Sequence, residues 1–269
     1  MIARLMSSAL PVVRASGATD AGPVRRTNED SLLIANELGL FAVADGMGGH
    51  HAGEVASQLA LESLVGFIRR SHDDSDCSWP YGIEAQLSMA GNRVHTAISL
   101  ANRRVFREAE SHDDYIGMGS TIAALLFVGG VVVVGHVGDS RAYLHRHNSF
   151  TQLTQDDTWA VAMLAANPEE ESGGVSGHPF KHVLTNVLGS KERTTVHISE
   201  QPIFAGDRMV LCSDGLHGAV TNAELHALLN ALVGTDAAEA ANRLVKAALD
   251  HGTRDNVTAV VVDVVGQQP

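Results

Sequence analysis

Four acidic residues share one placement relative to the apolar runs of this chain, and two more lie nearby. Asp45 closes the run 40–44 and is followed at once by Gly46, Met47, Gly48 and Gly49. Asp214 comes just after the run 208–212 and precedes Gly215, while Asp139 follows the valine-rich run 131–137 and Gly138. Asp255 stands immediately before the run 257–264, and Glu29 and Asp30 lie between the first two runs. A buried strand that ends on a carboxylate and breaks into glycine presents an anion at the edge of a sheet. Any one of these acids is also a good turn residue. As a set, carboxylates crowded onto one edge repel and need protons or cations. An all-oxygen donor set favours Mg²⁺ or Mn²⁺ over zinc. Two such ions would clamp and activate a water for attack on phosphorus. Arg25, close by in sequence, offers a planar donor fork for a phosphoryl group.

Composition narrows the class. The chain has 269 residues, 45% of them hydrophobic, which suffices for a sizeable core in one large domain. The formal charge of -12 argues against a nucleic-acid-binding face. It does not exclude phosphate esters where metal ions supply the positive charge. Two cysteines, Cys77 and Cys212, give neither a disulfide framework nor a zinc pattern. Residues 1–17 carry too poor an apolar run for a signal peptide, and no stretch has the length of a membrane span. The expected setting is cytoplasmic.

The elements that must position these acids follow from periodicity. Strands are expected over 12–19, 31–36, 39–44, 120–128, 131–137, 142–144, 150–153, 194–198, 208–212 and 257–264. Helical spacing marks 52–67, then a stripe from Ile83 to about Glu110, a short helix 159–165, and the pair 222–233 and 236–249. Asn222 and Asp236 are plausible helix-start residues. The helix-per-strand rhythm of a parallel sheet is absent, so the fold class is α+β, with antiparallel sheets and helices outside them. Residues 155–180 are polar, glycine-rich and acidic beyond the short helix, and are the candidate for a mobile flap. Residues 1–11 and 265–269 read as flexible tails around one domain, 12–264.

Six segments, in order, resemble the metal-dependent serine/threonine protein phosphatases of the PPM (PP2C) family, in its compact bacterial type. They are GPVRRTNED at 22–30, VADGMGGH at 43–50, GMGST at 117–121, VGDSRAY at 137–143, LCSDGL at 211–216 and DNVT at 255–258. The resemblance implies a β-sandwich of two antiparallel sheets flanked by pairs of helices, a four-layer α-β-β-α arrangement. It implies hydrolysis of phosphoserine or phosphothreonine in proteins by a water activated between two Mn²⁺ or Mg²⁺ ions, without a phosphoenzyme. Asp45 would bridge the two ions. Glu29 and the Gly46 carbonyl would serve one, Asp214 and Asp255 the other, and Asp139 a third ion with Asp214 shared. Arg25 would bind the substrate phosphate and Asp30 would orient a metal-bound water.

Larger eukaryotic members carry a histidine, proposed as general acid, at the position of Met47. A thioether cannot donate that proton, so metal-bound water is the preferred donor, with His50 and His51 as weaker candidates. The expected partners are phosphorylated proteins, including a serine/threonine kinase or its targets, with the chain itself a monomer. The alternatives are a catalytically silent phospho-sensor or scaffold on the same fold, or a phosphatase for a small phosphomonoester.

Overall fold

The computed structural model describes residues 11–49, 51–73, 78–166 and 178–267. His50, Cys77, most of the flap (167–177) and the ends 1–10 and 268–269, about which expectations were stated, lie outside the described residues. No helix among the described residues is long and apolar enough to cross a membrane.

Two antiparallel sheets form the centre. The first contains β1 (Pro11–Asp20), β11 (Val257–Gln267), β10 (Arg208–Cys212), β7 (Arg141–Arg146) and β8 (Ser149–Gln152), in that spatial order. The second runs β2 (Asp30–Ala35), β3 (Leu40–Met47), β5 (Ile122–Val128), β6 (Val131–Val137) and β9 (His197–Pro202), with the short β4 (Gly119–Ser120) paired to β3. Helices α1 (Ala52–Asp73) and α2 (Met89–Ser111) cover the second sheet. Helices α5 (Asn222–Ala231) and α6 (Ala237–Asp250) cover the first. Between them in sequence lie α3 (Trp159–Ala166) and the one-turn α4 (Asp214–His217). The expected four-layer α-β-β-α sandwich is the observed one.

The layering explains why the strands read as continuous apolar runs rather than alternating ones. Side chains alternate between faces, and both faces are covered. In β3, Phe41 and Val43 face the inter-sheet core with Val260, Val262, Met209 and Leu211, while Leu40, Ala42 and Ala44 face α1 and α2. Each fully buried Leu, Val or Phe contributes roughly 1.5–3 kcal/mol, so register is strongly specified and the acids at the strand ends are held in place.

Some boundaries differ from expectation. Helix α2 begins at Met89, not near Ile83, because Asn92 turns back on the preceding loop. Its amide donates to the carbonyls of Glu84, Leu87 and Ser88, and Ser88 caps the helix. β9 occupies 197–202 rather than 194–198, paired with β6 from His136↔His197 to Val131↔Pro202. β11 continues past Val264 to Gln267 because β1 pairs with it there, around a bulge at Val12 and Val13. Helix α5 is capped by Thr221, one residue before the expected Asn222, in a reciprocal box with Glu224.

Candidate metal centre at the sheet ends

The site forms where the ends of both sheets meet. Asp30 opens β2 and sits directly across from Asp45 in β3, so antiparallel register alone sets these two acids side by side. Asp30 is buried, and one of its carboxylate oxygens accepts the Ser213 hydroxyl at 2.7 Å while the other has no partner. Ser213 directly follows β10 of the other sheet, and its Oγ accepts the Thr258 N–H at 3.0 Å. This link joins the two sheets at the site and places the neighbouring Asp214 beside Asp30 and Asp45.

Asp45 is fixed by its backbone. Its N–H donates to Thr121 Oγ1 at 3.0 Å, and its carbonyl accepts the Thr121 N–H at 2.8 Å. Thr121 Oγ1 also bonds Ser140 Oγ at 2.7 Å, tying the segment that carries Asp139 to the same frame. Gly138, with φ of 94°, turns the chain into Asp139 with no room for a side chain, and its N–H donates to Asp157 Oδ2 at 3.0 Å.

Glu29 is held by three contacts. Its N–H donates to Asn256 Oδ1 at 2.8 Å, and its carbonyl accepts the Gly46 N–H at 3.1 Å and the Ser57 hydroxyl at 2.7 Å. Helix α1 abuts this pair through Gly53. A Cβ there would come within 2.7 Å of Glu29 Oε2 and 2.9 Å of the Gly46 carbonyl oxygen. The missing side chain therefore leaves a cradle in which a carboxylate oxygen and a carbonyl oxygen lie against one surface. On the other flank, Arg25 donates to Asp255 at 2.6 Å, so the expected phosphate-binding fork rests on an acid of the set.

A family model described as protein phosphatase 2C matches residues 25–250. The chain belongs to this family. It is 39% identical over 259 residues to the serine/threonine protein phosphatase PstP of Mycobacterium tuberculosis, covering 94% of this chain but only 45% of PstP. The chain thus spans about half the length of that relative. It is 31% identical over 252 residues to the serine/threonine phosphatase stp of Listeria welshimeri, covering 91% of this chain and 93% of that one. Among solved structures, the catalytic domain of PstP in complex with two manganese ions superposes with a TM-score of 0.74 at 35% identity, covering 94% of this chain and 98% of that chain.

In this PP2C chain the electrostatics follow from burial of like charges. Burial, reinforced by Asp214 and Asp255, pushes Asp30 up to about 7 against the hydrogen bonds from Thr258 and Ser213. Asp45 lies well above the usual carboxylate range through burial, with Asp30, Asp214, Asp139 and Asp255 all adding repulsion. Asp139 rises to about 7 by burial and by Asp214 and Asp156. Asp214 and Glu29 are raised as well, burial first in both, then Asp255, with Arg25 opposing. The acids expected from the sequence are thus close enough to perturb one another.

The PP2C residues fit divalent ions of the Mg²⁺ type. Asp30 Oδ1 and Asp214 Oδ1 are buried acceptors without partners, the Gly53 cradle pairs two oxygens, and every donor is oxygen. No three His, Cys, Asp or Glu side chains among the described residues form a ready-made shell for one ion. The cleft beside the acids has a volume of about 940 Å³, with Asp139, Asp214, Asp255, Lys181, His182 and Arg254 all in its wall.

Sequence reasoning missed the supports of the site: Asn256, Thr121, Ser213 and Gly53. The first three stand inside segments that carried the resemblance, next to the acids they hold. Gly53 gave no signal, because its role depends on a helix packing against a distant loop. The two described ends of the flap meet at its base, where Trp159 donates to the Val183 carbonyl at 2.8 Å and stacks on His178 at 4.2 Å.

Proposed function

We propose that this chain is a metal-dependent phosphatase that hydrolyses phosphoserine and phosphothreonine in proteins. The observation that carries the reading is the crowding of Asp30, Asp45, Asp139 and Asp214 in burial, each raised by its neighbours. Such an arrangement is costly for a fold and useful only where cations occupy it.

Asp45 would bridge two ions, with Glu29 and the Gly46 carbonyl on one, Asp214 and Asp255 on the other, and Asp139 with Asp214 on a third. When bound, the ions supply the positive charge that holds the phosphate and makes water acidic enough to attack phosphorus. The chain's own residues do the rest. Arg25 reaches the mouth of the site and can exchange Asp255 for phosphate oxygens, matching two of them with its fork. The free Asp30 Oδ1 accepts a proton from a group in the site, and its other oxygen is anchored by Ser213. Cys212 is fully buried and its thiol is pushed up to about 12, which supports direct attack by water over a covalent thiol route. Met47 supplies no proton to the leaving oxygen.

The test is hydrolysis of a phosphothreonine peptide by the purified protein with Mn²⁺, with Mg²⁺ and with EDTA, beside the Asp214→Asn variant. Turnover that requires metal and disappears in the variant is expected. A folded protein without turnover in any metal would instead favour a phospho-sensor.

A further inference from the structure

The outer faces of α1 and α2 enclose a groove of about 460 Å³, remote from the acids, lined by Arg70 from α1 and Arg103, Arg104 and Arg107 from α2. Arg104 is engaged by Glu62 at 2.8 Å. The guanidinium groups of Arg70, Arg103 and Arg107 have no hydrogen-bond or ion-pair partner among the described residues. Glu108, at the rim, is turned to His112 at 3.2 Å. Arg70 folds over the floor of the groove, its Nη1 lying 3.6 Å from where a Cβ on Gly66 would sit.

The arrangement has a cost that the fold does not recover. Arg103 and Arg107 are one helical turn apart, a spacing at which like charges destabilise, and Arg70 faces them across the groove. In a chain of formal charge -12 with 19 basic residues, four arginines around one concavity are a local inversion of the field. The two glutamates of the groove, Glu62 and Glu108, are taken up by Arg104 and His112, and the remaining planar forks match the oxygens of a phosphoryl dianion.

We infer that this groove docks a second phosphoryl group of the substrate polypeptide, distinct from the one hydrolysed. The inference rests on the proposed phosphatase reading. The helical rise puts Gly66 roughly 20 Å along α1 from Gly53, which abuts the metal centre. An extended chain spans that gap in about six residues or more. The substrate favoured by this geometry carries phosphate at two positions at least about six residues apart, one at each site.

The test uses Mn²⁺-loaded protein and two peptides sharing one phosphothreonine. One carries, about eight residues away on either side, a non-hydrolysable phosphonate; the other carries alanine there. The phosphonate peptide should show a KM about tenfold lower, at equal kcat. The Arg103→Gln/Arg107→Gln variant should lose that advantage while turning over a small aryl phosphate at the wild-type rate. Equal KM for both peptides in the wild type, or an advantage retained in the variant, overturns the inference. So does an advantage abolished by an equal concentration of inorganic phosphate, which would assign the groove to the free anion. If the aryl phosphate is not hydrolysed at all, the phosphatase reading has failed. The groove is then judged separately by fluorescence anisotropy of the labelled phosphonate peptide on wild type and variant.

Discussion

Replacing Asp139 by Asn should stabilise the metal-free protein while impairing it as an enzyme. Asp139 is 8% exposed and its carboxyl is raised from 3.8 to about 7, by burial first and then by Asp214 and Asp156. In the unfolded chain the same group ionises near pH 4. Between pH 4 and 7 the folded state therefore holds a proton that the unfolded state has released, and stability falls as pH rises through that window. Above pH 7 both states are ionised and the penalty is constant. One pH unit is worth about 1.4 kcal/mol, so the penalty is about 4 kcal/mol at pH 8 and about 2 kcal/mol at pH 5. Asparagine resembles the neutral acid and carries no such penalty. At roughly 2–4 °C per kcal/mol for a chain of this size, the variant in EDTA should melt roughly 8–16 °C above wild type at pH 8, and about half as far above it at pH 5. His217, held down to about 4 by burial, touches Asp139 only through the backbone carbonyl, a contact that asparagine keeps. The assay is thermal unfolding by circular dichroism across pH 5–8 in EDTA. A variant no more stable than wild type at pH 8, or a gain that does not change with pH, would refute the reasoning.

Three further outcomes are expected. Gly53→Ala should leave the fold intact but weaken Mn²⁺ binding by at least about tenfold in calorimetric titration, because the new Cβ would sit 2.6 Å from Glu29 Cδ. Unchanged affinity would show that Glu29 and the Gly46 carbonyl are not joint ligands. Asn256→Ala removes the side chain that bonds Glu29 N–H and the carbonyls of Ala21 and Thr27, and should cost about 3 kcal/mol in urea unfolding. Arg25→Ala should lower kcat/KM for a phosphopeptide roughly 10- to 100-fold; a wild-type value would remove Arg25 from phosphate binding.

The sequence was most legible where burial and chemistry met in adjacent residues. Asp45 and Asp214 announce themselves because a charge ends an apolar run, and a run covered on both faces leaves little doubt about the strand. Legibility fell where structure depends on contacts between distant segments. α4 has no counterpart among the elements expected from periodicity, since four residues carry no period; it packs against α6 and β11. The stripe starting at Ile83 was apolar at helical spacing, yet Asn92 reaches back over 84–88 and holds that stretch as a loop. Asn256 stands beside Asp255 in sequence, but its side-chain bonds run to residues 21, 27 and 29 near the opposite end of the chain. The pairing of Asp30 with Asp45 follows from register, which the hairpin expected at 31–44 already implied.

The pairing of β1 with β11 has a consequence for how the protein comes to life on the ribosome. Arg25 and Glu29 emerge early in synthesis, but Glu29 is positioned by Asn256, and Asp30 is anchored through Ser213 to Thr258. These closures span most of the chain, the kind of contact that forms late because long loops must first be closed. A nascent chain lacking residues 255–267 already carries the sequence of α1, α2 and the second sheet, yet it lacks Asp255 and the braces Asn256 and Thr258. Any phosphatase activity of this fold is therefore withheld until its last strand has been made and has found its first.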